Sequence, residues 1–259
     1  MKERITPAQV VRHHAKLCGI RVEDIAIAPL LMVSWIKPAV ERIAGLLACS
    51  PCKHWLYGDS CPAYTGSVNG RAVSVGLLRV GAPTTVMMLE EFIACGARTI
   101  VGLGYAGSLQ PSFPVGSIIL PTACISDEGT SAHYVEDPSH IHASTDLVEA
   151  LSESAKEQRV PVRAGTCWTT DAPYKEFAHL VERYQRNGVL GVDMETSAMY
   201  ALAAHRNVRA ANVLVVSDEL WRDWNPAFGT PQLDRATDAA CDLLVSFVKQ
   251  FTAGQDIQG

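Results

Sequence analysis

The amino-acid sequence predicts a single domain of the α/β class, in which strands and helices alternate. Apolar runs of strand length alternate with segments whose apolar residues recur at helical spacing, and this pattern continues along the whole chain. The chain has 259 residues, 48% of them hydrophobic, which is enough to bury one large core. Because no repeat, low-complexity tract or shift in composition divides the sequence, we expect residues 1–259 to form one domain.

The elements of the first half follow from apolar periodicity and from glycine signals. Asn69-Gly70 lies between two alternating runs, which is the strongest short-range signal for a β-hairpin. Gly96 follows an apolar segment of helical spacing and is a natural C-terminal stop for that helix. We therefore expect strands at 22–30 and 99–103, helices at 37–47 and 84–95, and a hairpin across 64–80.

The second half continues the alternation to the end of the chain. Ser144 precedes an amphipathic segment, and its hydroxyl is expected to cap the N-terminus of that helix. We expect strands at 117–122, 162–166, 188–192 and 211–216, and helices at 144–158, 194–204 and 233–251.

Two of these strands end in carboxylates. The run at 188–192 leads into Asp193 and Glu195, and the run at 211–216 leads into Ser217 and Asp218. In open α/β sheets the ligand crevice lies beyond the carboxyl ends of the strands, so both positions favour a binding site. A structural interpretation competes with this one, because an acid in the first turn of a helix also satisfies free amides and the helix dipole.

Residues 102–107 (GLGYAG) match the GxGxxG fingerprint of dinucleotide-binding proteins and follow a predicted strand. That site requires a helix to begin inside the glycine turn. Pro111 and Pro114 leave no room for such a helix, so a dinucleotide-dependent oxidoreductase is disfavoured. The glycines, with Gly104 and Tyr105 among them, instead favour close approach of the backbone to a small ligand.

Two further segments combine polar and aromatic side chains. Trp168 and Thr169 follow the strand at 162–166, where an aromatic face either stacks on a nucleobase or closes a core; taken alone, the core is favoured. Residues 127–134 form a polar segment suited to a loop over a site. His133 in that loop is either a proton donor or simply solvated.

The cysteines do not predict a metal centre. Eight of them are spread over apolar runs and loops, as expected of small buried side chains in a reducing compartment. Cys49, Cys52, His54 and Cys61 offer possible ligands, but their spacing is irregular and a second CxxC is missing. We therefore expect no metal.

Charge and hydropathy exclude two other classes of partner. The formal net charge is −5 and the basic residues are scattered, so the sequence lacks the cluster of basic residues expected for binding a nucleic acid polymer. Residues 1–7 are polar, and no apolar run is long enough to span a bilayer. We expect a cytoplasmic protein without a membrane partner.

Six short segments, in this order and within residues 68–248, resemble the nucleoside phosphorylase superfamily, which includes purine nucleoside phosphorylases, uridine phosphorylases and related nucleosidases. The segments are 81–83, 104–109, 115–118, 168–171, 192–195 and 216–218. The resemblance implies a three-layer α/β/α fold around a mixed, partly barrel-like central sheet. It also implies a homodimer, a trimer of dimers or a hexamer.

The resemblance further implies roles for individual residues. Glu195 matches the acceptor of the ribose diol, and Met194 its partner against the sugar. Trp168 takes the place of the aromatic that stacks on the base. Asp218 matches the acid that protonates or hydrogen-bonds purine N7, and Arg235 the arginine that assists it. Uridine phosphorylases lack that aspartate, so a purine-type nucleoside is favoured. The expected substrate-binding residues are Asp193, Met194, Glu195, Trp168, Thr169, Gly104, Tyr105 and Ser217.

The molecule that attacks the sugar, phosphate or water, is less well defined. Arginines that hold phosphate in the family are missing from 28–33 and from Gly102. Phosphorolysis, with inorganic phosphate as co-substrate and no other cofactor, remains favoured by the resemblance. Arg79 and Ser108, or else Lys37, are then left to bind phosphate. Hydrolysis is the alternative, although the glutamate that family hydrolases carry after the first strand is missing too. A second alternative is an inactive nucleoside-binding protein.

Overall fold

A mixed β-sheet surrounded by helices forms the structure, a computed structural model that describes residues 3–254. The strands are β1 Leu30–Ser34, β2 Ser50–Pro51, β3 Ala63–Val68, β4 Arg71–Leu77, β5 Thr99–Ser108, β6 Ile118–Asp127, β7 Ile141–His142, β8 Val162–Thr170, β9 Gly191–Asp193, β10 Arg209–Glu219 and β11 Asn225–Pro226. The helices are α1 Pro7–Cys18, α2 Lys37–Leu46, α3 Ala82–Ala94, α4 Thr145–Glu157, α5 Ala178–Arg186, α6 Thr196–Arg206 and α7 Pro231–Gly254.

The sheet closes on itself over part of its width. Its strand order is β11-β10-β6-β8-β9-β5-β1-β4-β3-β2, with β7 on β6. In addition β10 pairs with β5 in parallel, so β5, β10, β6, β8 and β9 form a closed ring. Helices α1, α3 and α6 pack in one group, and α2, α4 and α7 in another. This architecture confirms the predicted α/β fold with a mixed, partly barrel-like sheet.

Most predicted elements are present with shifted ends, but the strand at 22–30 is wrong. Val22–Ile25 forms a 3-10 turn, and the strand begins only at Leu30. The carboxylate of Asp24 accepts a hydrogen bond from the backbone N–H of Arg21 at 2.9 Å, which closes the turn. Ala26 then adopts a left-handed conformation with φ 58°, which ends the segment before a strand can form.

The glycine-rich run at 102–107 is extended rather than turned, and it lies entirely within β5. Its glycines allow neighbours to approach the strand closely. A Cβ at Gly104 would lie 3.1 Å from the indole of Trp35, and one at Gly102 would lie 2.4 Å from the Asn212 amide oxygen. Ser144 is the N-cap residue of α4, as predicted, but the predicted capping bond from its side chain is wrong, because its hydroxyl instead accepts from the backbone N–H of Ala210 at 3.0 Å.

The hairpin prediction is confirmed. Val68 and Arg71 are paired across the turn, and Asn69 and Gly70 have φ values of 51° and 74°. Positive φ at both central residues is the geometry that an Asn-Gly pair favours in a two-residue hairpin. None of the helices within residues 3–254 has the length and apolar character needed to span a membrane.

Candidate active site

A cleft of 820 Å³ opens where β1, β5, β9 and β10 end. It lies where the sequence places a ligand, beyond the carboxyl ends of strands. Trp35 and Lys37 line it from the segment after β1, and Tyr174 from the loop after β8. Its ionisable carboxyl groups belong to Glu176, Asp193, Glu195 and Asp218.

The carboxylate of Glu195 is held in place by backbone amides. Its Oε1 accepts from the N–H of Gly81 at 2.7 Å, and its Oε2 accepts from the N–H of Met194 at 3.3 Å. Gly81, the N-cap residue just before α3, has φ 99°, a conformation that favours glycine, and its N–H points at the carboxylate. Each oxygen of Glu195 keeps a lone pair for a ligand, although the residue is only 7% exposed.

The neighbouring Asp193 is also fixed by hydrogen bonds. It accepts from the hydroxyl of Thr169 at 2.7 Å, from the backbone N–H of Thr196 at 3.0 Å, and from the Thr196 hydroxyl. Burial raises the pKa of both acids, and the charge of Asp193 raises the pKa of Glu195 further. Because Asp193 has more donors, it keeps its charge, and Glu195 is the member of the pair that takes up a proton first.

Asp218 lies at an irregularity of β10, where the register with β5 shifts between Val216 and Asp218. A bulge of this kind redirects a side chain at the end of a strand. The Ser217 hydroxyl donates to Asp218 Oδ1 at 2.7 Å, and the indole N–H of Trp224 donates to Oδ2 at 2.9 Å. Asp218 is thus positioned as an acceptor of hydrogen bonds.

Glu176 lines the same cleft from the loop after β8 and is a functional candidate that sequence reasoning missed. Burial, together with the negative charge of Asp218, raises the pKa of Glu176 to about 7. The only sequence signal was its place shortly after the Trp168 segment, because a loop carboxylate has no periodicity and no fixed spacing from the strand-end acids.

The predicted stacking role of Trp168 is not supported by its position. Its side chain is 1% exposed and packs against Tyr184 of α5, with ring centroids 4.7 Å apart, in a small apolar cluster. Trp168 is not among the residues that line the cleft, and neither is its neighbour Thr169, whose hydroxyl serves Asp193. Trp35 provides an aromatic face there instead, fixed by its indole N–H donating to the Thr85 hydroxyl at 2.8 Å.

Arg235 and the predicted phosphate-binding residues Arg79 and Ser108 do not line the cleft either. Arg235 is exposed on α7, and neither it nor Arg79 lines the cavity. The guanidinium of Arg79 donates to the Cys61 thiol at 3.4 Å. Ser108 is fully buried, with its hydroxyl donating to the Gln110 carbonyl at 3.0 Å. Lys37 is the one lysine or arginine among the described residues that line the cleft.

The remaining predicted site residues do meet there: Gly104, Tyr105, Asp193, Met194, Glu195, Ser217 and Asp218. His133 lies elsewhere, in a second groove of 720 Å³ beside Arg206 and Glu90. Within residues 3–254, no group of three or more histidine, cysteine or acidic side chains is arranged to hold a metal ion.

The structure is thus an α/β protein with a partly closed mixed sheet, and carboxylates at the ends of β9 and β10 line its cleft. The sequence model described as "Phosphorylase superfamily" matches residues 37–249. The chain therefore belongs to the phosphorylase superfamily, which confirms the resemblance seen in the sequence.

Individual relatives agree with this assignment. The chain is 31% identical over 160 residues to DeoD-type purine nucleoside phosphorylases of Bacillus cereus and Bacillus mycoides, covering 61% of this chain and 68% of each relative. Two solved structures share its fold. One is a purine nucleoside phosphorylase from Toxoplasma gondii in complex with immucillin-H, with TM-score 0.80, 19% identity, and coverage of 91% of this chain and 95% of that one. The other is a uridine phosphorylase from Vibrio fischeri ES114, with TM-score 0.75, 23% identity, and coverage of 90% and 94%.

Proposed function

We propose that this protein cleaves the N-glycosidic bond of a purine-type nucleoside. The observation that carries the proposal is the presence of Glu195 and Asp218 in one cleft, and we assign the first to sugar hydroxyl groups and the second to the base. Membership in the phosphorylase superfamily supports the same reaction class, and the Bacillus relatives are named as purine nucleoside phosphorylases.

Glu195 is proposed to bind the sugar. Its two oxygens lie side by side, each fixed by one backbone N–H, so that they can accept from two neighbouring hydroxyl groups. Met194 lines the cleft beside it and offers an apolar surface to the flat face of the ring. In its ionised form, which burial and Asp193 disfavour in the free protein, this carboxylate also stabilises the positive charge that develops on the sugar as the bond breaks.

The base is proposed to lie between Trp35 and Asp218. Gly104 allows the Trp35 indole to lie directly against β5, which leaves a flat wall for a planar ring. Asp218 can accept from an N–H group of the base, and the exposed aromatic side chains of Trp224 and Phe228 border the opening on the same side. This combination favours a base with several ring nitrogens.

Phosphate is our proposed acceptor of the sugar, because the Bacillus relatives are phosphorylases by name. Lys37 is then the residue that meets the phosphate. Hydrolysis is a second candidate, supported by the charge of the cleft: four carboxyl groups line it against one lysine, an unfavourable setting for a dianion. Assembly into a homodimer or hexamer remains a prediction that sedimentation velocity tests.

The experiment is incubation of the protein with inosine, adenosine, guanosine and uridine, each with and without phosphate, followed by chromatography of bases and sugars. We expect purine bases and a sugar 1-phosphate only when phosphate is present. Free ribose and a rate independent of phosphate would support the hydrolase instead. Tight binding of a nucleoside without any turnover would contradict both and favour a nucleoside-binding protein.

A further inference from the structure

Met194 and Glu195, the two residues proposed to contact the sugar, lie in a turn that Asp193 closes. Asp193 Oδ2 accepts from the backbone N–H of Thr196 at 3.0 Å and also from the Thr196 hydroxyl. Asp193 and Thr196 are 5% and 0% exposed, so both bonds are shielded from water. The turn at the junction of β9 and α6 is therefore fixed from inside the protein, while Met194 and Glu195 line the cleft.

A buried amide on β10 sets the direction of the Thr196 hydroxyl bond. The side-chain oxygen of Asn212 accepts from the backbone N–H of Val213 at 3.0 Å, and this contact places the amide nitrogen toward Thr196. The nitrogen donates to Thr196 Oγ1 at 2.8 Å. Because an amide NH2 group can only donate, the single proton of the Thr196 hydroxyl is left for Asp193.

A second hydroxyl is oriented in the same way toward the other oxygen of Asp193. Thr169 Oγ1, on β8, accepts from the backbone N–H of Ser197 at 3.0 Å and donates to Asp193 Oδ1 at 2.7 Å. Each carboxylate oxygen of Asp193 thus receives an O–H group that an N–H donor has oriented. These two bonds connect the turn to β8 on one side and, through Asn212, to β10 on the other.

Gly102 leaves the space that the Asn212 amide occupies. A Cβ at Gly102 would lie 2.4 Å from Asn212 Oδ1, so a larger residue there would displace the amide. Gly102 is also the position at which the resemblance leads us to expect an arginine for phosphate. In this chain the neighbouring space holds a side chain that binds Thr196 and does not line the cleft.

We propose that Asn212 is a positioning residue for the sugar: it orients the Thr196 hydroxyl toward Asp193 and thereby holds the turn that presents Glu195 to the diol. This inference rests on the proposed function. Without the amide, the Thr196 hydroxyl can rotate away from Asp193, and the turn loses its connection to β10. A small displacement of a group that binds the reacting sugar is costly, because the bound geometry must match the transition state closely.

The test compares inosine with 2′,3′-dideoxyinosine, which lacks the two hydroxyl groups that Glu195 is proposed to bind. Asn212→Leu removes the amide at nearly constant size. Thr196→Val removes the hydroxyl but keeps the backbone N–H, and Thr196→Ser keeps both. Thr252→Val is the matched control, because Thr252 is 2% exposed and its hydroxyl accepts from the Asn69 amide at 3.0 Å without lining the cleft.

We expect Asn212→Leu and Thr196→Val to lower kcat/KM for inosine by about tenfold or more, while kcat/KM for dideoxyinosine changes by less than about threefold. Thr196→Ser and Thr252→Val should stay within about threefold of the wild type on both substrates. The ratio of the two rates does not depend on the amount of folded protein, so a partly unfolded variant still gives a result.

Equal losses on both substrates, or an unchanged inosine rate in Asn212→Leu and Thr196→Val, would overturn the proposal. A wild-type protein that cleaves neither substrate would instead contradict the proposed function itself.

Discussion

Replacing Glu195 with glutamine tests whether its carboxylate binds the hydroxyl groups of the sugar. Glutamine has nearly the same shape, but it offers one acceptor oxygen and one amide group in place of two carboxylate oxygens. The 2.7 Å bond from the Gly81 N–H will hold the amide oxygen toward the backbone. The NH2 group then faces the Met194 N–H, where it meets another donor. A sugar hydroxyl that donates to Oε2 in the wild type then loses its carboxylate acceptor.

The size of the effect follows from the number of bonds lost. A hydrogen bond to a charged group contributes about 1.5–3 kcal/mol, so the two bonds to a sugar diol contribute about 3–6 kcal/mol. Each ~1.4 kcal/mol corresponds to a tenfold change in rate, so kcat/KM should fall by about 10²–10⁴-fold. The free energy of unfolding should rise, because the substitution removes a buried charge.

The sign of the stability effect depends on pH. The pKa of Glu195 is raised in the folded protein above its ordinary 4.5, because burial and Asp193 oppose the charge. The folded state therefore holds this proton more tightly than the unfolded chain, and wild-type stability falls as the pH rises from about 4.5 toward the folded pKa. The glutamine variant has no such loss, so its melting temperature should equal or exceed that of the wild type at about pH 9.

The assay compares inosine with its 2′,3′-dideoxy counterpart. The wild type should strongly prefer inosine, and Glu195→Gln should cleave the two at nearly the same low rate. Glu91→Gln is the matched control, because Glu91 is also 7% exposed but accepts from the Tyr57 hydroxyl outside the cleft. Retention by Glu195→Gln of the wild-type preference for inosine would refute the role of Glu195 in binding the diol.

Three further substitutions probe the rest of the cleft. Asp218→Asn should slow inosine cleavage by about 10–100-fold, because the leaving base loses the carboxylate that stabilises it in the transition state; an unchanged rate would contradict the role of Asp218. Lys37→Met should raise the KM for phosphate while leaving the KM for nucleoside within about twofold, and an unchanged phosphate saturation curve would remove Lys37 from the acceptor site. Gly107→Ala would place a Cβ 2.6 Å from Leu220 Cδ1 and 3.3 Å from Asp218 Oδ2, so we expect weaker nucleoside binding and about 1–3 kcal/mol lower stability by denaturant unfolding; wild-type affinity would show that the loop yields without cost.

The strand-end acids could be predicted from the sequence because local order determines them. An apolar run that leads into a carboxylate places that acid at the edge of a sheet, whatever the rest of the chain does. Glu195 and Asp218 accordingly meet in one cleft, although they are separated by the whole of α6.

Positions that depend on which side of a strand faces which helix could not be predicted in this way. Trp168 and Thr169 are adjacent in β8, and neither sequence pattern nor composition shows that α5 covers the tryptophan. Trp35 lies in the cleft because Gly104 leaves room for it, a contact between segments far apart in the chain. Arg235 illustrates a third limit, because helical periodicity does not predict how α7 is rotated against the sheet.

The central claim is that Glu195 and Asp218 act together to cleave the bond between a purine and its sugar. Release of hypoxanthine from inosine, measured in parallel for the wild type, Glu195→Gln and Asp218→Asn, tests it most directly. The account predicts steady release by the wild type in the presence of phosphate and strong loss in both variants. Wild-type protein that releases no base, or variants that release it at the wild-type rate, would contradict the account.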